Sequence, residues 1–171
     1  MLIKFIPTED FDEAYNLLSS VFDDSEIRPY EAVKKRYDEH IYQLIGIYDD
    51  SLVGALVLTK FDNIVFLENL GIKSDCQSHG YGSILLNHIS NLYPNALIVL
   101  EVEVDNKIKQ RIKFYERNGF QFDNHTYMLP TIGNKRCENP MHLMLKGADW
   151  SESLYTKIKK AIFENAYKSN Y

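Results

Sequence analysis

Three consecutive stretches decide the fold: Ile64-Val65-Phe66-Leu67-Glu68-Asn69-Leu70-Gly71-Ile72, then Lys73-Ser74-Asp75-Cys76-Gln77-Ser78-His79-Gly80-Tyr81-Gly82, then Ser83-Ile84-Leu85-Leu86-Asn87-His88-Ile89-Ser90-Asn91-Leu92. The first is an apolar run of strand length. The third places Ile84, Leu85, His88, Ile89 and Leu92 at helical spacing and stops before Pro94, which cannot continue a helix. Gly80 and Gly82 stand where the strand hands over to the helix, so the backbone there is free to turn tightly and to aim its N–H groups at an anion. The positive end of the helix macrodipole adds to that attraction. A diphosphate could be held at such a turn without Lys or Arg.

Outward from this unit, residues 96–104 form an apolar run of strand length, parallel to Ile64–Ile72 if the intervening helix is a crossover. A helix is expected over 107–118, with Gly119 at the position of a left-handed cap and Phe120-Gln121-Phe122 opening another strand. Met141–Lys146 reads as the last strand. Residues 151–168 read as an amphipathic helix carrying Leu154, Ile158 and Ile162 on one face, extended by Tyr155 and Phe163. Upstream, Leu2-Ile3-Lys4-Phe5-Ile6 is a short strand ended by Pro7. Thr8 is expected to cap a helix bearing Phe11, Tyr15, Leu18 and Phe22. A second helix is expected over 29–40, and the runs 42–48 and 52–59 form a hairpin across Asp49-Asp50-Ser51. The organisation is one domain over 1–148 and a C-terminal helix over 149–171, packed on its own sheet or at a homodimer contact.

A chain of 171 residues can bury a core as one unit. Its 45% hydrophobic and 25% charged residues argue against disorder, collagen and coiled coil. A net charge of -5 without a Lys/Arg cluster argues against a nucleic-acid partner and suits a cationic substrate. The opening seven residues do not form a signal peptide and no run reaches membrane-spanning length, which points to the cytoplasm. Cys76 and Cys137 lack metal-ligand spacing and are too few for a disulfide framework, which fits a reducing compartment. The histidines are scattered, so no metal site is expected. Neither a nucleophile elbow nor a P-loop lysine motif is present.

The order hairpin, strand, Gln77-x-x-Gly80-x-Gly82, helix, strand, then Phe114-Tyr115-x-x-x-Gly119-Phe120 resembles the GNAT superfamily of N-acetyltransferases over roughly residues 1–146. Gln77 to Gly82 is similar to its pyrophosphate loop. Leu100-Glu101-Val102-Glu103, followed by residues 111–120, is similar to its second cofactor region. The resemblance implies an α/β (α+β) fold with a mixed, mostly antiparallel sheet splayed open between two central parallel strands. Acetyl-CoA would lie in the splay. The Leu70-Gly71-Ile72 backbone would bond its acetyl carbonyl and pantetheine arm, and the amides of Gln77, Ser78, His79, Gly80, Tyr81, Gly82 and Ser83 would hold its diphosphate. Phe114 and Asn106 are implied as cofactor contacts, although Ile108 and Arg111 stand where many members carry an Asn and a small residue. Tyr115 is implied as the general acid for the departing thiolate, and a phenol has a pKa suited to that task.

The resemblance implies an enzyme that would acetylate a primary amine, on a small molecule or a peptide, in a ternary complex. A GNAT-fold acyl-CoA sensor without turnover is the alternative. The amine must lose a proton before it attacks, so a carboxylate, or a water chain ending in one, is expected in the cleft. Glu68 shares its strand face with Ile64, Phe66, Leu70 and Ile72 by simple alternation, a costly place for a charge without a partner or a task. Glu101 and Glu103 occupy one face of their strand. The order of preference is Glu68, then Glu103, then Glu101. The acidic run Asp23-Asp24-Ser25-Glu26 would suit a cation, and residues 127–139 read as a loop that could cover the acceptor.

Overall fold

The connection from Ile72 to Leu97 makes one pair of strands parallel, because a helical crossover returns the chain in its original direction. The computed structural model describes residues 1–132, 136 and 138–167. In chain order its strands are β1 (Leu2–Phe5), β2 (Tyr42–Asp49), β3 (Ser51–Phe61), β4 (Ile64–Ile72), β5 (Leu97–Glu103), β6 (Gln121–Phe122) and β7 (Met141–Lys146). Its helices are α1 (Phe11–Val21), α2 (Tyr30–Asp38), α3 (Tyr81–Leu92), α4 (Ile108–Arg117) and α5 (Glu152–Ile162), the last followed by a π-helical turn, Phe163–Tyr167. The strands form one sheet in the order β1-β2-β3-β4-β5-β7-β6. Among the described residues only β4 and β5 pair in parallel; the other neighbouring strands there pair antiparallel.

Helices cover both faces of the sheet. On one, Leu85, Leu86 and Ile89 of α3 bury against Val65, Leu67, Ile98 and Leu100, with Ile112, Phe114 and Tyr115 of α4 beside them. On the other, Phe11, Leu18 and Val33 of α1 and α2 cover Leu44, Ala55 and Val57. Tyr155, Ile158 and Ile162 of α5 cover Phe66, Val99, Leu143 and Leu145 on that same side. An isolated 11-residue helix is marginal in water. Burying each of these side chains contributes roughly 1.5–3 kcal/mol, so packing is what holds α5 in place. Among the described residues no helix is long and apolar enough to cross a membrane.

The hairpins turn at Asp50 (φ 62°) and Asp62 (φ 49°), where a short polar side chain tolerates the left-handed region. Strands β2 and β3 run further toward each other than the sequence predicts, leaving Asp50 alone in the turn. Thr8 opens a short 3-10 turn, and no side chain caps α1. Strand β6 is only two residues long, and the helix expected over 151–168 gives way to the π turn after Ile162. Lys168 lies outside the described residues.

One irregularity corrects the reading of Glu68. Val57 lies opposite Asn69 and Leu58 opposite Leu67, so Glu68 is an extra residue in β4, a β-bulge. The bulge flips the alternation beyond it. Leu70 and Ile72 therefore join the α3 face with Val65 and Leu67, while Ile64 and Phe66 stay on the α5 face. Glu68 does not share a face with Leu70 and Ile72 as simple alternation predicts.

Candidate active site

The β4–β5 register ends at the pair Leu67–Leu100, although β4 continues to Ile72 and β5 to Glu103. The two strands diverge beyond that pair and open a cleft of about 610 Å3 between them. Its walls are residues 67–72 and 100–103. Gln77, Ser78, Phe114 and Tyr115 close it on the α3/α4 side, and Glu26, Arg28, Ile132 and Tyr167 on the opposite side.

The α3/α4 side is built mainly from backbone. Gly80 has φ +83°, and a Cβ there would meet nothing within 4 Å. No side chain caps α3, and its first backbone bond runs from Ile84 N–H to the Gly80 carbonyl at 3.0 Å. The N–H groups of its first turn have no intrahelical partner and are available to an anion. Gly82 lies against the Phe114 ring, where a Cβ would come within 3.0 Å of Cζ. Leu70, Gly71 and Ile72 line the cleft, and Gln77 Nε2 donates to the Ile72 carbonyl at 3.3 Å. The His79 ring is exposed and bonds the Cys76 and Gln77 carbonyls, while the Tyr81 hydroxyl donates to Asp49 at 2.7 Å. Ser83 is partly buried in the first turn of α3.

Tyr115 lines the cleft between Phe114 and Phe120, with ring centroids 5.0 and 5.7 Å away and edge-to-face geometry. Burial pushes its phenol up to about 12, against a smaller lowering by Arg111, so the hydroxyl is protonated at neutral pH. It makes no hydrogen bond to the described residues. Asn106 is exposed in the turn before α4 and is not among the residues lining the cleft, so it is not gathered with the others. Arg111 pairs instead with Asp105.

The opposite side is a network of side chains. Glu68 accepts hydrogen bonds from the Tyr42 hydroxyl at 2.6 Å and from Thr59 Oγ1 at 2.8 Å, and Arg28 Nε stands 3.7 Å from its carboxylate. Arg28 is buried, donates to Tyr42 Oη at 2.7 Å, and reaches the Ala166 carbonyl at 2.6 Å. Two phenols hold Glu101: Tyr127, and Tyr167 at 2.5 Å. Desolvation raises the Glu101 carboxyl to about 7 despite those two bonds, with the Glu68 carboxylate adding to the rise and Arg28 opposing it. At the mouth, Glu103 accepts from Asn139 Nδ2 at 2.6 Å and faces Glu26. Burial, with the Glu103 carboxylate as a further cause, lifts Glu26 to about 7.

The sequence names Glu68, Glu101, Glu103 and Tyr115, and the splay gathers all four around one cleft. It does not mark Arg28, Tyr42, Tyr127 or Tyr167, because their meeting depends on tertiary packing across more than a hundred residues. Glu26 belongs to the acidic run already read as suited to a cation. Of the loop over 127–139, Leu129 and Ile132 line the cleft, and Tyr127 bridges to Met141. Gly133 and Cys137 lie outside the described residues. Among those described, no group of three or more His, Cys, Asp or Glu is placed to hold a metal.

The Acetyltransferase (GNAT) family model matches residues 11–120. Among solved structures, a GNAT-family protein from Bacteroides thetaiotaomicron superposes with a TM-score of 0.86 at 28% identity, covering 98% of each chain. The ribosomal-protein-S18-alanine N-acetyltransferase of Escherichia coli is similar at a TM-score of 0.66 and 21% identity, over 90% of this chain and 98% of that one. Arabidopsis thaliana Naa50, in complex with the bisubstrate analogue CoA-Ac-MVNAL, gives 0.64 at 22% identity, over 85% and 97%. No curated protein sequence matches the chain.

Proposed function

The chain belongs to the GNAT acetyltransferase family, and from that premise we propose that it transfers the acetyl group of acetyl-CoA to a primary amine by direct attack in a ternary complex. The observation that carries this reading is the splay itself. An uncapped helix start and a protonated phenol lie on one side of it, and a carboxyl poised near neutrality lies on the other. The residues fit the cofactor. The α3 turn offers unpaired N–H groups and open space at Gly80 for a diphosphate. The β4 edge from Leu70 to Ile72 has left its β5 partner, so its backbone can pair with an extended pantetheine arm. Asn106 stays a weaker assignment, since it would have to act from outside the cleft.

When bound, acetyl-CoA supplies an acyl group activated as a thioester. Glu101 takes a proton from the substrate ammonium, which frees the nitrogen lone pair for the carbonyl carbon as the C–N bond forms and the C–S bond breaks. Tyr115 gives its proton to the sulfur and regains one from the nitrogen, so the two protons lost from nitrogen leave as one thiol proton and one released to solvent. A phenol near 12 is a weak acid for a thiolate in water, but the same dry pocket raises the thiol as well and narrows the gap. Glu68 is better suited to holding Arg28, Tyr42 and Thr59 in place, and Glu103 to drawing a cation to the mouth together with Glu26. Cys76 does not suit a covalent route, because its thiol is raised by desolvation and Asp75. The acceptor is an amine on a small molecule or a peptide, and the scarcity of cysteine fits a reducing, cytoplasmic setting.

The test is thiol release from acetyl-CoA in the presence of butylamine, spermidine, lysine methyl ester or a pentapeptide with a free N-terminal alanine. Release with at least one amine is expected, together with its loss in Glu101→Gln. Tight cofactor binding without release from any of them would make the protein an acyl-CoA sensor instead.

A further inference from the structure

The C-terminal π turn reaches into the cleft that the proposed reaction uses. Tyr167, the last described residue, is buried, lines the cleft, and donates its hydroxyl to Glu101 Oε2 at 2.5 Å. Two aromatic edges fix its ring, Phe66 at 6.4 Å and Phe163 at 5.5 Å. The Arg28 guanidinium lies 5.8 Å from the ring centroid and also grips the neighbouring Ala166 carbonyl. One cation thus ties the α1–α2 connection, β4 and the π turn together. π turns are rare, occur mostly as single turns and are frequent at functional sites. Here the turn follows directly on α5 and carries residue 167 to the splay.

We propose that Tyr167 is a positioning residue for acetyl transfer: its hydroxyl orients and stabilises the Glu101 carboxylate, so the C-terminal segment completes the acceptor half of the site. This rests on the reading of Glu101 as the proton acceptor. A tyrosine needed only to fill space would do as well as phenylalanine. Its hydroxyl would not have to end on a carboxylate that a second phenol, Tyr127, already serves. Two donors on one carboxylate limit how far desolvation can raise it, and fix the orientation of its plane in the cleft. The charged and titratable groups facing Glu101 are Glu68 from β4, Arg28 from the α1–α2 connection, Tyr127 from the segment after β6 and Tyr167 from the π turn. Lys159 of α5 lies over the Tyr127 ring, Glu103 follows on β5 itself, and β7 presents the apolar Leu143. Removing the Tyr167 donor leaves Glu68 to push the carboxyl further up with less opposition.

The experiment is a carboxyl-carbon NMR titration of full-length protein labelled at glutamate, with the Glu101 signal assigned by its loss in Glu101→Gln. It is paired with the pH profile of kcat/KM for the amine that supports thiol release. In Tyr167→Phe the Glu101 titration and the acid limb of the profile should both move up by about one pH unit. That shift means a rate about tenfold lower near pH 6 and almost unchanged near pH 9, since one unit is a factor of ten in protonation. The melting shift induced by acetyl-CoA should be unaltered. Incorporation of 3-fluorotyrosine at 167, a stronger donor of nearly the same shape, should move both midpoints downward, and it serves equally if the Phe variant folds poorly. Unmoved titrations in these variants would overturn the proposal. A shifted titration without a shifted rate profile would retain the contact but remove its role in transfer, which also overturns it. Wild-type rates in Glu101→Gln would instead overturn the underlying assignment of the base.

Discussion

The two sides of the splay are built by different means. On the α3/α4 side the functional groups are mostly backbone, namely the start of α3, the free edge of β4 and the space left at Gly80. On the other side they are side chains contributed by residues 28, 42, 59, 68, 101, 127 and 167, each bonded to another. Backbone recognition needs a short local motif and little else, so one loop can specify it. A side-chain network needs every distant element in place before any member has its partner. The first kind of site tolerates drift in its surroundings, whereas the second ties chemistry to the integrity of the whole fold.

The largest expected effect tests whether the two sides work as one machine. Tyr115 is the one ionisable side chain on the α3/α4 side assigned a chemical step. Tyr115→Phe keeps the ring between Phe114 and Phe120 and removes only the hydroxyl. Turnover should fall by about tenfold to ten-thousandfold, the usual span for a general acid, with the acetyl-CoA-induced melting shift preserved. Equal losses of turnover and cofactor binding would mean that the residue shapes the pocket instead.

Legibility in the sequence follows the same division. The strand Ile64–Ile72, the glycine turn and the helix after it are contiguous and strongly patterned, and the strand was readable to the residue. The parallel pair follows from the crossover, and the splay only from the family resemblance. Glu68 stands out in the sequence but its surroundings do not, because a bulge is one extra residue that no period-2 count can see. The contacts of Glu101 are not legible either, since its two phenols lie 26 and 66 residues away. The π turn that delivers Tyr167 is invisible to a 3.6-residue period, which simply continued the helix.

A smaller effect, on stability rather than rate, sharpens the contrast. The folded Glu101 carboxyl titrates at about 7 and an unperturbed glutamate at 4.5. The raised value means that the folded state binds the proton more tightly than the unfolded state. Glu101 therefore costs nothing below about pH 4.5, and its cost grows as pH rises to about 7 and is complete above it. The difference between 4.5 and about 7 sets that cost at roughly 3–4 kcal/mol. Glu101→Gln should raise the melting temperature at pH 8, and the gain should fade toward pH 5. Glu26 contributes a slope of the same sign, common to both proteins, and cancels in the difference. A gain independent of pH would show that the network does not hold Glu101 out of its ordinary ionisation.

The smallest effect separates the two glycines of the turn. At Gly80 a side chain finds open space but must adopt φ +83°, which costs roughly 1–2 kcal/mol for an L-residue. At Gly82, inside α3, alanine gains up to about 1 kcal/mol in helix propensity. Its Cβ, however, comes within 3.0 Å of Phe114 Cζ and must push that ring aside by a few tenths of an ångström. Without cofactor, Gly80→Ala should therefore melt slightly lower than the parent protein and Gly82→Ala at nearly the same temperature. With acetyl-CoA the order should change character. Gly80→Ala places a methyl group where the proposed site would bring a diphosphate to the backbone, and Gly82→Ala displaces a ring that lines the cleft, so both should lose part of the ligand-induced rise in melting temperature. A full rise in both variants would remove the glycine turn from the cofactor site and leave the splay without its anchor on that side.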